Sequence, residues 1–288
     1  MPEGNVLITG IGGFLGFHLA NELAQLTPEL NIIGIDRKPL SGVDNAVVVD
    51  LGDRDALAQI FREVAPRYVF HMAGVVYSNE FKELYNGNVE IAINLLDLAH
   101  SSDYPVRVII PGSAAEYGRV ASKDVPITEE QPLNPVSAYG VSKAWQATVA
   151  RYYALLGVDV VIGRIFNIIG RGAPESLAVG SFANQIKRIV CGETPPFILV
   201  GNLSTRRDYL DVADACRGLA AVAFTGRKGE VYNICSGHSV AMADILAMMI
   251  SKAGISVSVE VENQRVKSCD IEDSYGSNLK LLRDSGWQ

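Results

Sequence analysis

The sequence is poor in cysteine, and this excludes two kinds of small, crosslinked architecture. Its 288 residues include four cysteines, at Cys191, Cys216, Cys235 and Cys269. They lie far apart and form no CxxC motif, so we expect neither a disulfide framework nor a zinc site, and no metal at all. The same usage is typical of a reducing, cytoplasmic compartment. A chain of this length can bury roughly 75% of its unfolded surface and needs no crosslink to fold.

Long apolar runs and basic clusters are also missing. No stretch reaches about 18 consecutive apolar residues, and the first residues lead straight into a strand-like segment, so we expect neither a membrane span nor a signal peptide. The 25 basic and 32 acidic residues give a net charge of −7. No run of Lys or Arg stands out, and nucleic acid is therefore not an expected partner. An acidic chain that binds phosphates must use helix N-termini and a few placed arginines.

The first half of the sequence alternates apolar strand-like segments with amphipathic helices. Strands are predicted at 5–9, 31–36, 47–49, 68–71, 106–111 and 159–165, and helices at 14–26, 53–64, 88–100 and 138–155. Nearly continuous apolar strands that alternate with helices are typical of a parallel sheet covered on both faces. The sequence therefore predicts an α/β fold with a doubly wound parallel (Rossmann) sheet.

The second half is less regular and predicts a smaller lobe. It contains Pro195-Pro196, short strand-like segments at 197–200, 231–234 and 257–261, and a helical run at 241–250. We expect residues 1–165 to form the Rossmann domain, with a return segment at about 207–228. Residues 166–206 and 229–288 are expected to form a C-terminal α/β lobe that binds the substrate.

A glycine-rich segment follows the first predicted strand and opens the first helix. In Thr9–Gly16 the glycines Gly10, Gly13 and Gly16 are spaced by three, with Phe14 and Leu15 between the last two. This spacing allows a tight turn, close approach of backbone N–H groups to a pyrophosphate, and packing of the helix on the sheet. Glycines also mark ordinary turns. The preceding strand and the following helix favour a dinucleotide site.

Acidic residues at the ends of the next two strands support the same interpretation. Asp36 ends the second strand 20 residues after Gly16, where a ligand of the ribose 2′-hydroxyl is expected. Asp50 follows the third strand and is expected near the adenine. Asp36 would repel a 2′-phosphate and favours NAD, whereas the adjacent Arg37 could pair with that phosphate and leaves NADP open.

Tyr139 and Lys143 are candidates for acid–base chemistry. They stand at i and i+4 at the start of a predicted helix, so both side chains lie on one face. A cation next to a phenol favours the phenolate and is expected to lower the pKa of Tyr139 below its usual value near 10. Such a tyrosine could exchange a proton with a substrate oxygen while a cofactor moves a hydride. Ser113, at the carboxyl end of an earlier strand, could bind the same oxygen.

Taken together, these motifs resemble the extended short-chain dehydrogenase/reductases, the NAD-dependent epimerase/dehydratase group that modifies nucleotide sugars. Further matches cover nearly the whole chain, at Asp50-Leu51, 71–74, Asn88, 111–113, 164–167, 207–212, 229–234 and Ser236-Gly237. The resemblance implies that Ser113, Tyr139 and Lys143 are the catalytic triad and that Lys143 also holds the nicotinamide ribose. It adds Leu51, Met72, Ala73 and Gly74 to the cofactor-binding residues. It implies that Asn167 and Arg207 bind a nucleotide-diphosphate sugar.

The resemblance is strongest to the GDP-mannose 4,6-dehydratase and GDP-6-deoxy-mannose reductase branch, through residues 182–186, 200–203 and 206–209. A dehydratase needs a carboxylate, which in that branch lies two residues after the catalytic Ser or Thr. That position is Ala115 here, and in an extended segment Glu116 would point the other way. We therefore expect reduction of a 4-keto-6-deoxy sugar nucleotide. The alternatives are a nucleotide-sugar 4-epimerase, a 4,6-dehydratase and a non-catalytic cofactor-binding sensor.

Two further expectations concern packing. The helices predicted at 88–100 and 138–155 carry apolar faces, and by resemblance such helices pair across a two-fold axis, which implies a homodimer. His71, at a strand end in the cofactor region, is expected to pack in the core rather than to act as an acid or base.

Overall fold

A computed structural model of the chain describes residues 3–40, 46–262, 264 and 271–287. The strands are β1 (Gly4–Thr9), β2 (Leu30–Asp36), β3 (Ala46–Val48), β4 (Tyr68–His71), β5 (Arg107–Ser113), β6 (Asp159–Ile165), β7 (Asn167–Ile169), β8 (Phe197–Val200), β9 (Arg206–Arg207), β10 (Tyr209–Asp211), β11 (Val231–Ile234), β12 (Val240–Ala241), β13 (Ser258–Val261) and β14 (Asp273–Ser274). The helices are α1 (Phe14–Leu26), α2 (Arg54–Val64), α3 (Phe81–Tyr85), α4 (Ile91–Ser101), α5 (Ala138–Leu155), α6 (Ala178–Val190), α7 (Val212–Thr225), α8 (Met242–Ala253) and α9 (Leu279–Ser285).

Seven parallel strands form the central sheet, in the order β11-β6-β5-β4-β1-β2-β3. The chain runs outward from β1 in one direction through β2 and β3 and then in the other direction from β4. The strand order therefore reverses between β1 and β4. In such sheets ligands bind in the crevice beyond the carboxyl ends of the strands at this reversal. The predicted fold class, a doubly wound α/β sheet, is confirmed.

Both faces of the sheet are buried, which explains the uninterrupted apolar strands. In β1, Val6 and Ile8 belong to one core and Leu7 to the other, and none of the three has exposed surface. This alternation follows from the two-residue period of a strand. The first core also includes side chains of α1, α7 and α9, and the second includes side chains of α2, α4 and α5.

The Rossmann part of the chain extends further than the sequence predicts. Strand β11 pairs with β6, with Val231 opposite Ile162 and Ile234 opposite Ile165, although the sequence pattern assigns its residues to the smaller lobe. Trp287, just after α9, belongs to the same buried core as α7. A four-residue strand segment has no feature that specifies its partner strand, so this boundary could not be predicted from the sequence pattern.

The other described strands form three smaller sheets. Strands β8 and β13 pair in parallel, and α6 and α8 pack with β8 around Phe182, Ile198 and Leu246. Strand β9 lies between β12 and β14, and β10 pairs with β7. Cys191, Cys216 and Cys235 are free thiols, and Cys269 lies outside the described residues.

The helix predicted at 88–100 is not one regular helix. Helix α3 continues through a π-helical stretch at Asn86–Glu90 into α4. In the wider turn, Asn88 is buried and its side-chain oxygen accepts a hydrogen bond from Val75 N at 2.8 Å. Helical periodicity predicts the helix but carries no signal for the extra residue. Among the described helices, none is both long and apolar enough to span a bilayer.

Candidate active site

The turn between β1 and α1 is built by glycines that no other residue could replace without movement. Gly10 has φ +66°, and its N–H donates to Ile35 O at 2.7 Å. A Cβ on Gly16 would lie 2.2 Å from Gly10 O, and one on Gly13 would lie 3.1 Å from the same oxygen. The first turn of α1 thus packs directly on the loop. Gly13 is the N-cap residue and provides no side-chain cap, so the first N–H groups of α1 are available to an anion.

Asp36 lies beside this turn at the carboxyl end of β2. Its Oδ2 accepts from Gly12 N at 3.0 Å and its Oδ1 from Lys38 N at 3.3 Å. These bonds fix the carboxylate next to the glycine loop, where it could accept from a ribose hydroxyl. Arg37 and Lys38 follow as exposed side chains. The glycine turn, the open helix N-terminus and this carboxylate together fit a dinucleotide.

The predicted cofactor residues after β4 face the glycine turn. A Cβ on Gly10 would lie 2.7 Å from Ala73 N, and Ala73 N donates to Thr9 Oγ1 at 3.3 Å. Gly74 lies against Asn88, since a Cβ there would be 2.8 Å from Asn88 Oδ1. Met72 is partly buried and packs against the core that contains Val6 and Ile8. Residues 72–74 therefore run from the glycine turn, at Ala73, to Asn88, at Gly74.

Asp50 and Leu51 lie in the turn after β3. Asp50 Oδ1 accepts from Gly52 N at 2.8 Å, so this carboxylate stabilises its own turn. Leu51 is buried, and its carbonyl accepts from Asn94 Nδ2 at 3.0 Å.

Ser113 and Tyr139 come together at the carboxyl end of β5. Helix α5 begins at Ala138, because Ser137 Oγ accepts from Gly140 N at 3.0 Å and caps the first turn. A Cβ on Gly140 would lie 2.5 Å from Ala115 O, so the first turn of α5 packs against the turn that follows Ser113. The Ser113 side chain lies close enough to Tyr139 to act on the pKa of its phenol.

Burial dominates the pKa values of Tyr139 and Lys143. It raises the pKa of Tyr139 to about 12, although the hydrogen bond from Ser113 acts in the opposite direction. Burial also lowers the pKa of Lys143 to about 8, and the Glu116 charge opposes this shift. The expectation that Lys143 makes Tyr139 more acidic is therefore wrong. Desolvation is the largest cause of the shift in the pKa of Tyr139, and the phenol is protonated at neutral pH.

Sequence reasoning missed the residues that hold Lys143. The Lys143 ammonium donates to Gln146 Oε1, and Gln146 Nε2 donates to Asn88 O at 2.6 Å. Asn88 Nδ2 in turn donates to Ser142 Oγ at 2.9 Å. The i, i+3 spacing of Lys143 and Gln146 is visible in the sequence. The contact with Asn88 depends on the π-helical stretch and is not.

His71 is fully buried at the end of β4. Its Nδ1 lies 2.9 Å from Thr9 Oγ1, and its Nε2 has no hydrogen-bond partner among the described residues. Burial, followed by the charge of Lys143, lowers the pKa of His71 to about 3. The imidazole is therefore neutral at physiological pH.

Glu116 does not lie in an extended segment as expected. Residues Ala114–Glu116 form a 3₁₀ turn, and Glu116 has no exposed surface. Its Oε1 accepts from Ser113 N at 2.6 Å, and its Oε2 lies 2.8 Å from Arg164 Nη2. The Ser113 hydroxyl accepts from Ala115 N at 3.2 Å, and this reciprocal capping of a serine and a glutamate favours the turn over a strand. The carboxylate is directed into the interior.

Asn167 and Arg207 lie on the strands next to this edge of the sheet. Asn167 comes two residues after Ile165, the register partner of Ser113, and its Nδ2 donates to Asp208 O at 3.0 Å. Arg207 is half-buried on β9, and its Nη1 donates to Ile271 O at 2.6 Å. Because Arg207 directly precedes Asp208, this hydrogen bond holds Asn167 next to the segment that carries Arg207. Within the described residues no group of three or more His, Cys, Asp or Glu side chains could hold a metal ion.

The model of the NAD dependent epimerase/dehydratase family matches residues 6–235. The chain belongs to this family. A GDP-6-deoxy-D-mannose reductase from Pseudomonas aeruginosa is 27% identical, over 98% of this chain and 91% of the relative.

Solved structures of the family carry the cofactor. The RMD protein of P. aeruginosa, complexed with NADPH, superposes with a TM-score of 0.87 at 26% identity, over 99% of this chain and 92% of that one. A UDP-glucose 4-epimerase of Thermus thermophilus, complexed with NAD, gives a TM-score of 0.84 at 26% identity, over 99% and 93%. The resemblance to the extended short-chain dehydrogenase/reductases is confirmed. The chain is an NAD(P)-dependent enzyme of the epimerase/dehydratase family.

Proposed function

We propose that this member of the epimerase/dehydratase family reduces a 4-keto-6-deoxy sugar linked to a nucleoside diphosphate, in the manner of a GDP-6-deoxy-mannose reductase. A bound reduced nicotinamide supplies the hydride for C4. Tyr139 donates its proton to O4, Ser113 donates a hydrogen bond to the same oxygen, and Lys143 holds the nicotinamide ribose.

The arrangement of Ser113, Tyr139 and Glu116 carries this proposal. A phenol with a pKa raised to about 12 stays protonated at neutral pH, which is the form that a ketone reductase needs. Dehydration would need a free carboxylate near the sugar. Ala115 has none, and the Glu116 carboxylate is bound by Arg164 and by Ser113 N. Reduction is therefore favoured over 4,6-dehydration.

The cofactor is held by residues along the crevice. We assign its pyrophosphate to the N-terminus of α1, at Gly13–Gly16, and its adenosine ribose to Asp36. The Asp36 carboxylate favours NAD, because it would repel a 2′-phosphate. The exposed Arg37 beside it leaves room for NADP, and the relative from P. aeruginosa was solved with NADPH. Met72, Ala73 and Gly74 line the opposite wall, and Asp50 and Leu51 complete the adenine side.

The sugar nucleotide is assigned to the smaller lobe. We take this lobe as residues 166–206 and 235–278, with β11 and α9 counted in the Rossmann domain. Asn167 could donate to the sugar or its phosphate, and Arg207 supplies a positive charge for the diphosphate. The curated relative from P. aeruginosa is a reductase of a GDP-sugar, and we extend this substrate class to the present chain.

A 4-epimerase is the second candidate. UDP-glucose 4-epimerases of the same family are 25–26% identical to this chain. An epimerase would use the same three side chains twice, first with the Tyr139 phenolate as base and then with the phenol as acid. It would release no oxidised cofactor, because the hydride returns to the same sugar carbon.

One experiment separates these functions. The purified enzyme is incubated with the GDP-, UDP-, dTDP- and CDP-linked forms of a 4-keto-6-deoxy sugar and with NADH or NADPH. A reductase consumes one reduced nicotinamide per sugar reduced. Interconversion of 4-hydroxy sugars without added cofactor would instead establish an epimerase, and no turnover of any sugar nucleotide with bound cofactor would favour a cofactor sensor.

We also propose that the enzyme is a homodimer. Phe81 and Tyr85 on α3 pack edge-to-face on Trp145 of α5, with centroid distances of 5.4 and 6.2 Å. Trp145 is nevertheless 47% exposed, and Leu155 at the end of the same helix is 86% exposed. Exposed aromatic side chains along helices are typical of a protein–protein interface. A second copy of the chain would cover them through a bundle of helices.

A further inference from the structure

Glu116 and Arg164 form an ion pair behind Ser113 that the proposed reaction does not use. The Glu116 side chain has no exposed surface, and that of Arg164 is 4% exposed. One Glu116 oxygen lies 2.8 Å from Arg164 Nη2 and accepts from Arg164 Nε at 3.0 Å. The other oxygen accepts from Ser113 N at 2.6 Å. Both oxygens of the Glu116 carboxylate therefore have hydrogen-bond partners within the protein.

Glu116 and Arg164 both lie close to Gly112 at the end of the sheet. Arg164 on β6 is the register partner of Gly112 on β5. A Cβ on Gly112 would lie 2.8 Å from Glu116 Oε1 and 3.2 Å from Arg164 Cα. A side chain at this position would displace the carboxylate. Gly112, Glu116 and Arg164 thus fit together as one unit.

Arg164 is itself fixed by the end of the sheet. Its guanidinium carbon lies 4.4 Å from the centre of the Tyr117 ring, as in a cation–π contact. The Tyr117 hydroxyl donates to Asn233 Oδ1 at 2.7 Å, and Asn233 belongs to β11. A buried cation held in this way keeps the Glu116 carboxylate in one orientation.

We propose that Glu116 is a positioning residue, which fixes Ser113 through its backbone N–H and fixes Tyr139 through the 3₁₀ turn that abuts α5. This inference rests on the proposed roles of Ser113 and Tyr139. Ser113 Oγ already accepts from Ala115 N, so its own hydrogen is left to point toward Tyr139 and the sugar oxygen. Ala115 O packs against Gly140 and sets the distance between the serine and the tyrosine.

The negative charge of Glu116 supports the proposed roles of Tyr139 and Lys143, as its hydrogen bond with Ser113 N supports that of Ser113. It raises the pKa of both Tyr139 and Lys143, and so favours the phenol and the ammonium. Arg164 on β6 pairs with Glu116, and His71 on β4, whose pKa the charge of Lys143 helps to lower, is neutral. The protonated forms are those that the reduction requires.

Two double variants that differ only at position 116 test the proposal. Replacing one member of a buried ion pair strands the other charge, whereas replacing both with groups of similar volume is tolerated. Glu116→Gln/Arg164→Met retains a side-chain acceptor for Ser113 N, and Glu116→Met/Arg164→Met does not. We measure kcat, KM and the cofactor dissociation constant for both. The control is Arg107→Met/Asp159→Asn, which removes a partly buried ion pair at the opposite ends of β5 and β6.

The expected result is selective for the chemical step. The Met/Met variant should have a kcat about 10- to 100-fold below the Gln/Met variant, because misplacing a catalytic group by about 1 Å costs rates of this size. Its affinity for the cofactor should stay within about twofold. Equal kcat values in the two variants, or a parallel loss of kcat and cofactor affinity, would overturn the positioning role.

Two further measurements keep this result separate from the proposed function. If Ser113→Ala turns over normally, the function assigned to Ser113 is wrong, whatever the Glu116 variants do. In the unmodified enzyme, the amide proton of Ser113 should resonate far downfield, because a short bond to a carboxylate deshields it. An ordinary chemical shift for this proton contradicts the positioning role without any activity assay.

Discussion

Lys143 holds its charge in a buried position, 6% exposed, with Gln146 as hydrogen-bond acceptor. Burial lowers the pKa of its ammonium to about 8, while burial raises that of Tyr139 to about 12. The two groups therefore titrate in an unexpected order, and the amine loses its proton before the phenol does. In the proposed reaction, Lys143 is therefore the group that sets the alkaline limit of the rate.

The pH dependence of the rate follows from this order. The proposed reduction needs the cationic Lys143, so kcat/KM, which reports on the free enzyme, should fall as the pH rises through about 8. Lys143→Arg keeps the cation at all these pH values. Its rate should be lower overall but should show no alkaline decline in this range. An unchanged alkaline limb in this variant would assign the titration to another group.

His71 gives a separate prediction for stability. Its pKa is about 3 in the folded protein, against an ordinary value of 6.5 for the unfolded chain, so between these values the unfolded chain binds one more proton. The free energy of unfolding should therefore fall as the pH drops below about 6.5, by about 1.4 kcal/mol per pH unit from this residue. Denaturant titrations of the enzyme and of His71→Gln measure the difference. Parallel pH dependences would show that His71 makes no such contribution.

Several of the regular elements around the central sheet could be predicted closely, because they carry a strong apolar pattern. Helices α1 and α5 and strands β4 and β6 begin and end at the predicted residues. Both faces of the sheet are buried, so its strands are continuously apolar and stand out from the helices. The short helices α3 and α9, by contrast, have too few residues to show a period.

The glycine turn and helix α1 act as one element, and Gly16 tests this. A Cβ there would lie 2.2 Å from Gly10 O, so Gly16→Ala should force α1 away from the loop and lower the stability by about 1–3 kcal/mol. The affinity for NAD should fall more steeply, because the first N–H groups of α1 move with the helix. Calorimetry with and without cofactor measures both effects.

An exposed residue of the same helix provides the control. Asn21→Ala should change the stability by no more than about 0.5 kcal/mol and leave NAD binding intact. If Gly16→Ala binds NAD as tightly as Asn21→Ala does, the pyrophosphate does not lie at this helix terminus.

At the scale of the whole molecule, the sequence was enough to predict that the candidate site residues lie at one edge of the sheet. It was not enough to predict which other side chains hold them in position. Ser113, Tyr139 and the glycine turn lie at the ends of predicted elements, so the parallel sheet alone brings them to one edge. The placement of Glu116 depends on Arg164, 48 residues away, and on a turn that replaces a strand. Long-range ion pairs of this kind have no local signature. For the same reason the sheet partner of β11 could not be predicted.

Assembly into a dimer can be tested on the exposed aromatic face. Trp145→Glu places a charge within the proposed interface and should convert a dimer to a monomer, which sedimentation velocity detects. Val190→Glu is the control, because Val190 is 59% exposed on α6, away from this face. Identical sedimentation of the two variants would place the interface elsewhere.

The most direct test of the account is the rate of hydride transfer in Tyr139→Phe, measured in a single turnover with a bound reduced nicotinamide and a 4-keto-6-deoxy sugar nucleotide. The substitution removes only the phenolic oxygen. We predict a rate at least about 100-fold lower, because the proton for O4 is lost, with cofactor affinity nearly unchanged. Hydride transfer at close to the original rate would contradict the role of this tyrosine as the acid.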